Sequence, residues 1–130
     1  MISALAKVKS FVDTGQFMVV QAAAKAALES YDSWVPQNVA EFQARRDAAV
    51  EALRRSGFET DKPKATMYLW VRVPSGINSE PFARRALLEQ GVVIMPGAAL
   101  GAGGEGFFRI ALTQGAARLS EAAERLSKLL

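Results

Sequence analysis

Two six-residue segments constrain this chain most, YLWVRV at 68–73 and FFRIAL at 107–112. Both are rich in β-branched and aromatic residues, which predicts strands. Side chains on a strand alternate between faces, so each segment sorts into two sets. Leu69, Val71 and Val73 share one face with Phe108, Ile110 and Leu112. That face is apolar and suited to lie under helices. The other face carries Tyr68, Trp70 and Arg72 with Phe107, Arg109 and Ala111. It is too aromatic for ordinary exposure, and it sets a guanidinium in mid-strand.

The remaining elements follow from periodicity and punctuation. A short helix is expected over 2–11, then a turn at Asp13-Thr14-Gly15 and a helix over 16–30 with Phe17, Val20, Ala24 and Leu28 on one stripe. Asn38, with Glu41 three residues on, reads as the cap of the next helix, which buries Phe42, Ala49, Val50 and Leu53 and stops at Gly57. Glu59 to Lys64 is a loop. Ser79 is expected to cap a helix over 80–90 that ends at Gly91. Val92 to Met95 reads as a second strand closed by Pro96-Gly97. A final amphipathic helix places Leu119, Ala122, Ala123, Leu126 and Leu130 on one side. The strand–helix–strand crossover should join parallel strands. FFRIAL then returns antiparallel between them. The fold class is α/β, an α+β two-layer sandwich: a small, mainly antiparallel three-stranded sheet with helices on one face.

Composition narrows the chemistry. At 130 residues the chain amounts to about one domain. It contains neither Cys nor His. Ser-His-Asp hydrolysis, Cys-His chemistry, disulfides and a zinc site are therefore excluded, and no metal is expected. The net charge is +3, and acids interleave with the pairs Arg45-Arg46, Arg54-Arg55 and Arg84-Arg85. Those pairs read as solvated helix faces with i,i+4 partners, so no nucleic-acid partner is expected. No apolar run approaches the roughly 20 residues that span a bilayer, and no secretory signal opens the chain. A cytoplasmic location with no membrane partner is the expectation.

Two features have competing readings. Arg109 is either a surface Arg snorkelling over aromatic neighbours or an anion receptor whose planar fork takes a carboxylate. The loop Gly101-Ala102-Gly103-Gly104-Glu105-Gly106 could suggest phosphate cradling. It lies between strands rather than before a helix, so a turn that needs positive φ fits better.

In order, the segments KVKSFVDTGQF (7–17), VQAA (20–23), YDSWV...FQARRDAAVEALRRSGF (31–58), PKATMYLWVRVP (63–74) and LLEQGVVIMPGAALGAGGEGFFRIAL (87–112) carry a resemblance. So does the closing ERLSKLL (124–130). The chain resembles the C-terminal small domain of class I/II aminotransferases, fold type I pyridoxal-phosphate enzymes of the aspartate and LL-diaminopimelate aminotransferase branch. The P-G-x-x-x-G-x-G-G-E-G-x-F-R-I-x-L run from Pro96 to Leu112 is its most specific piece. The resemblance implies that Arg109 grips a substrate α-carboxylate, and that Tyr68, Trp70, Pro96 and Gly97 line or support the cleft. It implies a helical lead-in over 1–34 and a small α/β domain over 35–130. Its cofactor is pyridoxal 5′-phosphate, held in such enzymes by a Schiff-base lysine in a Ser-x-Ser-Lys-like motif. Lys7, Lys9, Lys25, Lys62, Lys64 and Lys128 all lack that context. No cofactor-binding or catalytic residue is therefore expected in this chain, which should be inactive alone and amount to about a third of an enzyme. Its partners would be an amino acid or 2-oxo acid together with a large domain or a second copy. Leu100 and Met67 depart from the family, where Phe is common. The alternative is a non-catalytic carboxylate-binding or oligomerisation module.

Overall fold

Three phenylalanine rings form the centre of the molecule's core. Phe82 and Phe108 lie 5.2 Å apart, with Phe58 edge-on to them at 6.2 and 5.8 Å. Edge-to-face packing of this kind adds to the burial of apolar area. The computed structural model describes residues 1–13 and 15–130. It divides the chain into two compact units, Met1–Asn38 and Val39–Leu130.

The first unit contains α1 (Ile2–Val12), α2 (Met18–Glu29) and the beginning of α3 (Tyr31–Arg55). α1 and α2 form where Ala-rich, good helix-forming sequence predicts them. The turn expected at Asp13-Thr14-Gly15 includes Thr14, which lies outside the described residues. Neither α1 nor α2 buries a single residue. The stripe of Phe17, Val20 and Leu28 is thus exposed.

α3 starts earlier than its sequence suggests. Asn38 is not a cap: the helix runs from Tyr31 and carries Pro36 inside it. Proline removes one i→i−4 bond, but a fresh helix start at Asn38 would have to nucleate again, which is the costlier step. Ser30 opens the helix instead, its carbonyl accepting from the N–H of Ser33 and of Trp34. Gly57, with φ +89°, ends it where expected. The Phe58 N–H donates back to the Leu53 carbonyl at 3.0 Å, the closure typical of a left-handed C′ glycine.

The second unit is built on the sheet. β1 (Tyr68–Arg72), β2 (Met95–Pro96) and β3 (Phe107–Ala111) pair in the order β1-β3-β2. β3 is central and antiparallel to both neighbours, with Leu69 opposite Ile110 and Val71 opposite Phe108. The outer strands are parallel, as the crossover through α4 (Ser79–Gln90) requires. Leu69, Val71, Phe108 and Leu112 are completely buried beneath Val50 and Leu53 of α3, Phe82 and Ala86 of α4, and Leu119, Ala123 and Leu126 of α5 (Ala116–Ser127). Each such side chain contributes roughly 1.5–3 kcal/mol relative to exposure.

Three expectations are corrected here. β2 is not Val92–Met95 but the two residues Met95 and Pro96. Val92 and Ile94 do reach the core. The backbone before Met95 stands off β3, however, leaving a groove lined by Val92, Ile94, Ile110 and Thr113. Leu129, not Leu130, completes the apolar side of the C-terminus, because α5 stops at Ser127 and a tighter turn follows. Finally, Ser79 does not cap α4. It is the first helical residue, and its hydroxyl is bonded elsewhere.

Candidate functional site

The face of the sheet turned away from the helices is the candidate site. Along it the register sets Tyr68 opposite Ala111, Trp70 opposite Arg109, and Arg72 opposite Phe107, while Met95 flanks Arg109 from β2. Their side chains interact as neighbours on a pleated surface do. The Arg109 guanidinium lies 4.1 Å from the centre of the Tyr68 ring. Trp70 meets Phe107 edge-on at 6.2 Å, and Arg72 lies 4.8 Å over Phe107.

The two arginines differ in what satisfies them. Arg72 is exposed and pairs with Glu59 at 3.0 Å. Arg109 is half-buried and, among the described residues, has neither a carboxylate nor a side-chain hydrogen-bond partner. A guanidinium over an aromatic face can still offer the N–H groups at its edges to an acceptor.

Two recesses adjoin this face. One of about 780 Å³ is lined by Tyr68, Trp70, Arg72 and Phe107 together with the 57–66 loop. The other, about 430 Å³, lies between Trp70, Phe107, Leu100, Gly103 and Gly104. Tyr68 and Trp70 thus line a recess, whereas Arg109 stands beside the recesses and forms the wall of neither. Pro96 is half-buried in β2 opposite Phe108, and Gly97 is buried. No lysine lines either recess among the described residues, so this face does not by itself fit a cofactor that must be held by a lysine amine.

Several supporting residues escape sequence reasoning. Arg54 holds the 57–66 loop by donating through Nε and Nη2 to the Thr60 carbonyl at 3.2 and 2.8 Å. Arg46 donates to the Pro63 carbonyl at 3.1 Å. The expected i,i+4 partners do occur for Arg45 with Glu41, Arg55 with Glu51 and Arg85 with Glu89. Arg46 and Arg54 fasten backbone instead. Asp47 takes Arg46 at 2.8 Å and Lys62 at 2.9 Å, and these cations hold its carboxyl below the usual range. Thr66, just before β1, adopts φ +76°, a left-handed conformation that a β-branched residue rarely takes.

The glycine loop is a pair of 3₁₀ turns, Gly97–Leu100 and Ala102–Gly104. Gly101 and Gly106 have φ of +122° and +83°, as a turn of this composition predicts. A second reason for glycine is visible only in three dimensions. A Cβ on Gly97 would stand 1.9 Å from the Gly104 carbonyl oxygen, and one on Gly104 would stand 2.2 Å from that of Gly97. The two backbones touch.

Comparison with known proteins gives this arrangement a family. Residues 1–126 match the model of aminotransferase class I and II, and the chain belongs to that family. It is 43% identical over 129 residues to an LL-diaminopimelate aminotransferase of Nitratidesulfovibrio vulgaris, covering 99% of this chain and 33% of that protein. An LL-diaminopimelate aminotransferase of Moorella thermoacetica is 45% identical over the same length and shares. Among solved structures, a probable N-succinyldiaminopimelate aminotransferase from Thermus thermophilus superposes with TM-score 0.92 at 35% identity, over 99% of this chain and 34% of that one. An aminotransferase from Staphylococcus aureus gives 0.91 at 32%, over 98% and 34%. The chain spans about a third of the length of the curated relatives it matches. The three-stranded sheet with its helices is therefore a piece of the aminotransferase fold.

Proposed function

We propose that this chain is the C-terminal small-domain part of a pyridoxal-phosphate-dependent aminotransferase, and that Arg109 is its receptor for the α-carboxylate of an amino acid or 2-oxo acid. The observation that carries this reading is the state of Arg109. It is a half-buried guanidinium with no acceptor among the described residues, set over the Tyr68 ring in an aromatic surface. A carboxylate meeting that fork gains two parallel charge-assisted hydrogen bonds, and the ring beneath limits the orientations the fork can take. Tyr68 and Trp70 line the cleft beside it, and Pro96 and Gly97 support it through β2 and the glycine loop.

Pyridoxal phosphate supplies the electron sink for amino-group transfer in such enzymes. The lysine that would hold it belongs to another part of the protein, since none of the six lysines here has the Ser-x-Ser-Lys setting. This chain alone therefore does not transaminate. Residues 1–34 are the helical lead-in, and 35–130 the small domain. The whole works in the cytoplasm, with a large domain or a second copy as partner. A second reading, an oligomerisation module, is favoured by the exposed Phe11, Phe17, Leu28 and Trp34 of the first unit.

Calorimetric titration of the chain with a panel of amino acids and 2-oxo acids tests the assignment. Binding should vanish in Arg109→Ala. It should weaken in Arg109→Lys, which offers a point charge instead of a planar fork. Equal binding by wild type and Arg109→Ala would overturn it.

A further inference from the structure

We propose that Glu105 is a positioning residue: acting through Ser79, it fastens the Gly97–Gly106 loop to the start of α4 and so sets the wall that Leu100, Gly103 and Gly104 present to Trp70 and Phe107. Three hydrogen bonds, from two residues, converge on its carboxylate. The Ser79 backbone N–H donates to Oε1 at 2.7 Å, and the Ser79 hydroxyl donates to Oε2 at 3.1 Å. The Gly106 N–H donates to Oε1 at 2.9 Å. The same Ser79 hydroxyl accepts from the Ala98 N–H at 3.2 Å, so one side chain relays the first turn of the loop to the acid at its end.

The arrangement is not an ordinary helix cap. Asn78, at the cap position of α4, makes no side-chain cap bond, and an acid 26 residues away in sequence takes the Ser79 N–H. Ser79 is completely buried, so its hydroxyl has no water to fall back on, and an orphaned buried donor or acceptor is costly. The positive end of α4 favours a carboxylate over a neutral group at this point.

Between these anchors the loop has little freedom. Gly97 and Gly104 are in backbone contact, which leaves no room for a side chain at either position. The stretch between them includes Leu100 and Gly103, the residues that face Trp70 and Phe107 across the smaller recess. Glu105 lines neither recess, and its side chain bonds Ser79 and Gly106. Its influence on Trp70 and Phe107 passes through the loop, and it does not depend on what Arg109 binds.

Trp70 reports on that wall directly. In a Trp34→Phe background it is the remaining tryptophan of the two in the chain. Acrylamide quenching of its emission, with amide hydrogen exchange on the same samples, compares Glu105 with Glu105→Gln, a near-isostere without the charge. The expected result is stronger quenching of Trp70 and roughly tenfold faster exchange at the Ala98 amide, with the Leu69 and Val71 amides of β1 unchanged. Ser79→Ala removes only the hydroxyl relay and should shift both readouts the same way by less. Should Glu105→Gln fail to fold, Ser79→Ala carries the same test. Wild-type quenching together with wild-type Ala98 exchange in the folded variants would overturn the proposal. So would a rise shared equally by the β1 amides, which would mean only general destabilisation.

Discussion

The first 38 residues and the last 92 use similar ingredients to opposite ends. α2 and α5 each have twelve residues and an apolar side. α5 buries Leu119, Ala123 and Leu126 against the sheet, whereas α2 buries nothing and, with Phe17 just before it, leaves Val19, Val20 and Leu28 exposed. An apolar stripe announces that a face wants covering; it does not say what covers it. In the second unit the cover lies within the unit. The first unit's stripe has none within its own boundaries, in keeping with a chain that spans about a third of its relatives' length.

The largest test of this contrast is a pair of truncations. Phe108→Ala removes a fully buried ring that packs on Phe58 and Phe82, and it should cost about 3–5 kcal/mol in urea unfolding. Phe17→Ala, at a residue 70% exposed, should stay within about 0.5 kcal/mol. Comparable losses would mean that the first unit shares the core's cooperativity, and the contrast would fail.

A smaller effect concerns association. Replacing Phe17 and Leu28 with serine should lower the apparent mass by light scattering at high protein concentration and leave the unfolding midpoint in place. A wild-type chain that is strictly monomeric at those concentrations would show that the exposed stripe does not drive self-association.

The smallest effect is in acid. Amide donors from Ser79 and then Gly106 lower the Glu105 pKa below its ordinary 4.5. A lowered carboxyl adds stability above the unfolded value and loses it as pH falls through the folded one. The stability difference between wild type and Glu105→Gln should therefore be full at neutral pH and shrink as pH drops below 4.5. A difference that is flat across that range would remove the carboxylate's charge from the account. In the first unit, the ion pair of Lys25 with Glu29 is exposed, and its removal should change stability by no more than about 0.5 kcal/mol.

Much of the second unit is legible in its residues. The strands at 68–73 and 107–112, their antiparallel pairing, the two faces of the sheet and the glycine stops at Gly57 and Gly91 all follow from alternation and left-handed φ. The extent of β2 does not, because pairing depends on how closely two backbones run, and that is set by the elements on either side of them. Asn38 and Ser79 mislead for a shared reason: a capping residue type marks a place where a helix can begin, and whether it does depends on competing partners. For Asn38 the competitor was continued helix from Tyr31; for Ser79 it was Glu105.

By itself the sequence determined which side chains lie on which face, and hence that a guanidinium sits among aromatic rings opposite an apolar core. Strand periodicity is local and rigid enough to carry that information. Only the tertiary structure decided that Arg109 rests on Tyr68 with no acceptor among the described residues, that Arg46 and Arg54 hold backbone rather than only acids, and that Gly97 and Gly104 touch. Each of these joins atoms that sequence spacing does not bring together. Their distances are fixed only when the whole core closes around Phe58, Phe82 and Phe108.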